Sequence, residues 1–533
     1  KMNFYSIQFL LFLGILLIAY YTFLKKYQWQ CLLIGSIGFY LWTGPVNMIF
    51  LITTGLTTWA GSLFMEKYSD EFRKIKADKT IDKETRKLYK KKFEKKKKIV
   101  LLIVLLINFG ILAYLKYWKV ILENVASVIR VDPVSWSVYN QALGLLLPLG
   151  ISFYTFQSVG YLLDVYHDKS AAQKNFGKYL LFVAYFPQLI QGPINRYDKM
   201  EPEFDKQHRW DSSNAKAALL LILFGMVKKY AIANLTVGLI ADILDRTGAV
   251  YPGSVIVTGI LLYSAQQYAD FSGGIDMVLG ISQLFGIAMM PNFRQPYFAT
   301  SLSDFWRRWH ISLGAWMRDY IFYPFALTKP MQNLGKWAKN KMGKHIGRVL
   351  PAAISNILVF FVVGLWHGAE WHFILWGLYN GIVIAISDFL EPVFAKMTGA
   401  LHINTEAKWY YVFRVVRTFI VVNIGWYFDR IADISVCLES MKSTVTHFKP
   451  AAFLPVMADI MSGYSLMTFA VAAVAIVFVF CHSVLKERGV DTIQWLDNRS
   501  IVIRWGIIYF MIFIVLVSFT CDMSAGGFMY ANY

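Results

Sequence analysis

The stretch Phe361-Val-Val-Gly-Leu-Trp-His-Gly368 places a histidine, His367, inside an almost wholly apolar run. An imidazole is costly in hydrocarbon unless it meets polar atoms or water, and an ionisable side chain at membrane depth points to function by default. Gly364 and Gly368 stand four apart, so one face of a helix through them carries no side chain. Such a face suits close helix packing or the approach of a thin substrate arm. A backbone carbonyl could equally satisfy His367, so the segment alone leaves a structural and a chemical reading side by side. His372, a few residues on and near Glu370, reads as structural.

The surroundings of that histidine are those of a membrane protein. The 533-residue chain is 56% hydrophobic with a mean hydropathy of +0.44, above the roughly 45–50% apolar content of soluble domains. Its 17 Trp and 31 Tyr fit rings gathered at membrane–water interfaces. The expected fold is all-α and polytopic, with roughly 11–13 membrane-crossing or membrane-embedded helices. Candidate spans begin with Tyr5–Leu24, a retained span rather than a cleaved signal, and include Tyr179–Ile194, Ala217–Ala233, Val349–Leu365, Trp371–Phe389 and Phe413–Tyr427. Runs between about 177 and 345 are short or interrupted by Gly, Pro and charge, as backbone at membrane depth is only where protein or a water-filled cavity surrounds it.

The net charge of +19 sits mainly in loops, which favours membrane topology over nucleic acid as its cause. Glu66–Lys98 carries 15 Lys/Arg against 7 Asp/Glu. That loop is expected in the cytoplasm, with the N-terminus outside if three spans precede it. It reads as a solvated, partly helical hairpin on anionic lipid or as a dock for a phosphate-rich donor or acidic carrier. The expected segments are N-terminal spans (1–65), the basic loop (66–98), a core (99–395), C-terminal spans (396–520) and a tail (521–533).

A second histidine lies 57 residues upstream. Asn292-Phe-Arg-Gln-Pro-Tyr-Phe298 runs into Ser303-Asp-Phe-Trp-Arg-Arg-Trp-His310 and on to Tyr320. Ser303 is the expected N-cap of a helix starting near Asp304. On that helix Asp304 can pair with Arg308, and Trp306 and Arg307 would share a face with His310. Charge mixed with tryptophan, Trp309 included, indicates an interfacial helix or a polar cavity wall. Asp270 and Asp276 lie among apolar residues, as functional carboxylates or as structural partners of Lys or Arg. The other six histidines fall in or beside polar stretches. No metal-ligand spacing, C-x-x-C, G-x-S-x-G or P-loop occurs, so no bound metal or cofactor is expected.

Phe182–Ile194, Tyr268-Ala-Asp-Phe-Ser-Gly273, Asn292 through Trp316 and Gly364-Leu-Trp-His-Gly368 together resemble the membrane-bound O-acyltransferase (MBOAT) superfamily. The likeness is to its bacterial branch, which serves alginate O-acetylation and teichoic-acid D-alanylation. The resemblance implies tilted helices around a central funnel in the bacterial plasma membrane. It also implies an acyl thioester donor (acetyl-coenzyme A or an acyl carrier protein) arriving from the cytoplasm. His367 matches the family's signature histidine and His310 the second one, with Asn292, Asp270, Asp304, Arg308, Trp306, Trp309, Trp366, Gly364 and Gly368 as supporting residues. It further implies an extracellular serine-hydrolase-like partner that passes the group to a cell-surface polysaccharide. The last residues, Phe528-Met-Tyr-Ala-Asn-Tyr533, resemble a terminal motif of this branch in which the final tyrosine is the acyl-acceptor candidate. Here Tyr530 and Tyr533 agree with it and Ala531 departs.

The expected function is membrane O-acyl transfer, most simply O-acetylation. A hydroxyl acceptor needs a general base, for which His367 serves while His310 or Asn292 orients groups or stabilises the oxyanion. D-alanyl transfer is the alternative within the family. A proton-coupled transporter using Asp270, His310 and His367, or a non-catalytic scaffold, are the alternatives outside it.

Overall fold

The computed structural model describes residues 6–129, 148–246 and 250–522. Among them the fold is helical, without a strand. The chain forms two compact units, one of Lys1–Leu219 with Val278–Met290 and one of Leu220–Met277 with Pro291–Ala531. The compositional segments 1–65 and 66–98 fall inside the first unit, 396–520 inside the second, and 99–395 runs through both.

The first unit holds α1 (Ile7–Tyr21), α2 (Gln28–Thr43), α3 (Asn47–Ala77), α4 (Lys83–Ile129), α5 (Ile151–Tyr166), α6 (Phe176–Ala184), α7 (Phe186–Gln191) and α8 (Tyr197–Asp205). The basic segment is a hairpin joining α3 and α4. Asp82 caps α4 by accepting from the Glu84 and Thr85 N–H groups, each at 2.9 Å. Lys97, on α4, is buried, and its ammonium donates to Ser69 at 2.9 Å and Asp168 at 3.1 Å. Burial would raise the pKa of Asp168, but the Ser69 hydroxyl and Lys97 outweigh it and hold the carboxyl below its ordinary value. Along α3 small and polar residues face the interior: Thr58 bonds the Tyr179 hydroxyl at 2.7 Å and Ser62 the Tyr161 hydroxyl at 3.0 Å.

The expected span Tyr179–Ile194 is not continuous. It breaks at Tyr185 between α6 and α7, where Pro187 opens the second helix. The carbonyl of Phe182 freed by the break accepts from the side-chain amides of Gln157, at 2.9 Å, and Gln188. Side chains thus repair backbone that lipid would leave unsatisfied. Gly150 must be glycine: its φ is +72° and a Cβ would lie 2.5 Å from the Leu189 carbonyl oxygen.

Helix α9 (Ser212–Met226) begins in the first unit and enters the second at Leu220, where it passes through a π-helical turn, Val227–Ala233, into α10 (Asn234–Leu244). The extra residue in the turn brings consecutive buried lysines, Lys228 and Lys229, onto α11 (Gly253–Leu284). Lys229 pairs with Asp270, and Lys228 with Asp276 at 2.7 Å. There follow α12 (Leu302–Arg308), α13 (Ile311–Met317), α14 (Tyr323–Ala326), α15 (Lys329–Met342), α16 (Lys344–His367), α17 (Trp371–Ala400) and α18 (Lys408–Arg430). The unit closes with α19 (Ile434–Thr446), α20 (Phe453–Met461), α21 (Leu466–Glu487), α22 (Thr492–Asp497) and α23 (Ile501–Ser518).

Helices α16 and α17 pack backbone to backbone. A Cβ at Gly364 would lie 2.5 Å from the Phe373 carbonyl oxygen, and one at Gly377 2.3 Å from that of Phe360. The bare face of α16 at Gly364 is therefore filled by a neighbouring helix and does not admit a substrate arm. Gly368 follows the helix in an extended conformation.

Seven helices among the described residues are long and apolar enough to cross a membrane: Asn47–Ala77, Lys83–Tyr117, Ser212–Leu244, Lys344–His367, Trp371–Ala400, Leu466–Glu487 and Ile501–Ser518. The protein is a multi-pass membrane protein. Several remaining apolar runs form helices too short to cross alone, such as α1 with 15 residues, or are broken as at Tyr185.

Candidate active site

His310 sits in a fold-back rather than on a helix. The Arg294 N–H donates to the Arg308 carbonyl at 2.9 Å and the Ile311 N–H to the Asn292 carbonyl at 3.0 Å. These bonds make a short antiparallel bridge centred on Phe293 and Trp309. The cap of α12 is Ser301, whose hydroxyl accepts from the Asp304 N–H at 3.1 Å, and not the expected Ser303. The helix ends at Arg308, so Trp306 and Arg307 do not share a helical face with His310. His310 instead takes φ +48° and ψ 52° at the entrance to α13. This left-handed conformation is sparsely populated for a residue with a Cβ and is held by the surrounding structure.

Asn292 orients the ring. Its Oδ1 accepts from the Ser312 N–H at 3.0 Å and the Ser312 hydroxyl at 2.9 Å, and lies 3.2 Å from His310 Nδ1. A backbone N–H can only donate, which identifies the Asn292 atom as oxygen. His310 Nδ1 must then carry the proton in that contact, which leaves Nε2 unprotonated in the neutral ring. Both residues are buried.

His367 is the last residue of α16. Its ring lies among Trp366, Phe373 and Trp376, with centroids 4.8, 5.8 and 5.0 Å away. Trp366 also stands 6.1 Å from the His310 ring, so one indole touches both imidazoles.

The two histidines line one cavity of about 550 Å³. Asn356, Val359, Phe360, Val363 and His367 present one face of α16 to it. The eleven steps of 1.5 Å from Asn356 to His367 make that face about 16 Å long. His367 and Trp376 mark one end. Asp388, whose carboxyl feels the charge of Arg307, marks the other. The exposed Arg307 and Arg318 also belong to the lining.

Of the residues singled out in sequence, His310, His367, Trp306, Arg307 and Trp309 are brought to this cavity. Asn292 stands behind His310. Asp304 and Arg308 pair at 3.2 Å, as expected, and Arg308 reaches Glu487 of α21 at 2.8 Å, bracing α12 from outside the lining. Asp270 is paired with Lys229 and Gly364 is spent on helix packing; neither lines the cavity. His372 donates to or accepts from nothing in the cavity: its Nδ1 lies 2.9 Å from the Phe428 carbonyl. His482, expected beside a polar stretch, lies within α21 against Phe224, centroids 4.2 Å apart. Tyr530, Tyr533 and the rest of the terminal motif lie outside the described residues.

Among the lining residues that sequence reading missed are Gln267, Trp376, Trp426 and Asp429. Asp429 carried a usable signal, a carboxylate two residues past the apolar run Phe413–Tyr427. The two tryptophans carried none, in a chain with 17 of them.

Residues 168–426 match the model of the membrane-bound O-acyltransferase family. The chain is 31% identical to a probable alginate O-acetylase of Pseudomonas syringae pv. tomato, over 80% of this chain and 71% of that protein. It is 29% identical to a peptidoglycan O-acetyltransferase of Helicobacter pylori, over 80% and 81% of the two chains. It is also 29% identical to a teichoic acid D-alanyltransferase of Bacillus subtilis, over 52% of this chain and 67% of that one.

Proposed function

The chain belongs to the membrane-bound O-acyltransferase family and is an O-acyltransferase, and on that premise we propose that it moves an acetyl group from a cytoplasmic thioester toward hydroxyl groups of a cell-surface polysaccharide. The observation that carries this reading is that His310 and His367, 57 residues apart, face one cavity. The thioester enters at the end bearing Arg307 and Arg318, where cationic side chains suit the phosphates of coenzyme A or a carrier-bound arm. The basic α15 adjoins that end in sequence, which puts it in the cytoplasm by the positive-inside rule. The host membrane is the bacterial plasma membrane.

A thioester carbonyl needs little activation, whereas the hydroxyl must lose a proton as it attacks. His367 takes that proton. His310, fixed through Nδ1 by Asn292, directs Nε2 at the reacting group. The tryptophan and phenylalanine walls keep out water, which would otherwise take the acyl group. Acetyl is preferred over D-alanyl because relatives matched over 80% of this chain are named for O-acetylation, and the match to the D-alanyltransferase covers 52%. An extracellular partner completes delivery to the polysaccharide. On sequence grounds Tyr533 is the candidate intermediate carrier, since a phenol of pKa about 10 leaves more readily than a sugar hydroxyl.

The test is thioester consumption by the purified, nanodisc-reconstituted protein given acetyl-coenzyme A. Release of coenzyme A above a His367→Ala control is expected. No release with acetyl-coenzyme A or an acetylated carrier protein would remove acetyl as the group carried and leave D-alanyl transfer. A Tyr533→Phe variant that cleaves thioester but no longer supports polysaccharide acetylation in cells would mark the tyrosine as the carrier; full acetylation would remove it.

A further inference from the structure

A second cavity, of about 420 Å³, shares no lining residue with the one that holds the histidines. Leu261 of α11, Phe298, Val416 and Phe419 of α18 and Phe480 of α21 are among its walls. Leu261, Val416 and Phe480 are 46, 50 and 58% exposed, so the cavity is a groove open on the apolar surface. Hydroxyls in its walls are already engaged. Ser264 donates to Asn423 Oδ1 at 2.7 Å, Tyr297 to the Ser264 carbonyl at 2.7 Å and Ser483 to the Val479 carbonyl at 2.9 Å. The groove therefore suits a hydrocarbon occupant. Two cations stand at its edge. Arg414 and Arg417 bracket the wall residues Val415 and Val416 on α18. Both turn to Thr300, two residues past Phe298: Arg414 donates to its hydroxyl at 3.0 Å and Arg417 to its carbonyl at 2.9 Å. Each guanidinium has N–H donors to spare, and among the described residues neither pairs with a carboxylate. Like charges drawn together on one threonine favour an anion between them.

The leaflet follows from the chain's path. Helices α16 and α17 are each long and apolar enough to cross the membrane and are joined through residues 368–370. The chain that leaves basic α15 on the cytoplasmic side thus returns to that side at the end of α17. Helix α18 starts there, at Lys408, with Arg414 and Arg417 six and nine residues on, roughly 9–14 Å along the axis. Long cationic side chains at that depth reach the headgroup level, and anionic lipids are concentrated in that leaflet. We propose that the groove binds one anionic phospholipid of the cytoplasmic leaflet, with its phosphate on Arg414 and Arg417 and one acyl chain along Leu261, Phe419 and Phe480. Guanidinium forks match phosphate oxygens. The chain only exchanges one hydrocarbon surrounding for another, so the groove fixes its position and the headgroup supplies the preference. The lipid takes no part in acyl transfer, and the inference does not rest on that chemistry. Thr300 precedes Ser301, the cap of α12, so an occupied site also steadies the segment that leads to His310.

The experiment counts bound lipid. Full-length protein, stripped of lipid in dodecyl maltoside, is offered phosphatidylglycerol or phosphatidylcholine of equal chain length. Retained lipid is counted by native mass spectrometry and the thermal midpoint is recorded. The wild type is expected to retain one more phosphatidylglycerol than an Arg414→Gln/Arg417→Gln variant, to bind it about tenfold better, and to gain thermal midpoint as it binds. The basic hairpin of α3 and α4 is intact in both proteins, so its own lipid contacts cancel. Ala265→Phe, which fills the groove and leaves the arginines in place, should lose the same lipid. If the double variant is not recovered from membranes, Arg417→Gln, at the more exposed arginine, carries the comparison. Equal retention of the two lipids by the wild type, or a count unchanged in the arginine variants, overturns the site. So does a midpoint raised as much by inorganic phosphate alone, which would leave a free-anion site. A count unchanged by Ala265→Phe overturns it too, leaving a headgroup contact without a groove.

Discussion

The two histidine segments reach the same cavity by different physics. His310 is placed by hydrogen bonds: a bridge at Phe293 and Trp309, an amide that fixes Nδ1, and a backbone at φ +48°. His367 is placed by packing, as the last residue of a transmembrane helix with three aromatic rings around it. The first arrangement depends on single polar atoms and fails when one is removed. The second depends on volume and on the contact of α16 with α17, and fails when that contact is forced apart. Trp366 touches both rings and links the two.

The largest effect should come from His367→Ala. Loss of the proton acceptor is expected to lower transfer by about 10²–10⁴-fold, at unchanged membrane abundance; normal polysaccharide acylation at equal abundance would remove His367 from the chemistry. His310→Ala should follow, at about 10²-fold, with a thermal midpoint close to wild type. A loss of midpoint proportional to the loss of activity would instead mean that His310 only packs. Asn292→Ala sharpens the contrast further. It releases His310 and leaves the Ser312 N–H without its partner, so transfer should fall about tenfold and stability by about 1–3 kcal/mol, read from thermal unfolding in detergent. Gly364→Leu probes the other segment: a side chain driven into the Phe373 carbonyl should cost about 1–3 kcal/mol and lower abundance. Normal abundance with wild-type activity would show the helix contact to be dispensable. Trp376→Phe should do least, a few-fold loss of transfer, because a ring remains beside His367; a loss as large as that of His367→Ala would give the indole a chemical role.

Much of this contrast was legible before the fold. The histidine in Phe361–Gly368 and the charged aromatic run to His310 stood out because ionisable groups among apolar residues need a reason. The Asp304–Arg308 pair followed from helical spacing. What failed was local geometry. Ser303 has the chemistry of a cap, but the backbone is already helical from Leu302, and it is the Ser301 hydroxyl that takes the Asp304 N–H. His310 was read as helical because nothing in its own sequence announces a left-handed residue; the long-range bonds from Asn292 impose it. Gly364 and Gly368 looked like one smooth face, but the helix stops at His367. Gln267 and Asp429 join the site only because α11 and α18 meet there, and no local pattern encodes that meeting.

The central claim is that His310 and His367 form one catalytic unit. It is tested most directly by a double-mutant cycle on acetyl transfer, with His310→Ala, His367→Ala and the double variant in nanodiscs at matched folded protein. Groups that act in one step are strongly non-additive. The account predicts that the double variant is no slower, within about threefold, than His367→Ala alone. Losses that multiply, so that the double variant falls by the product of the two single effects, would contradict it.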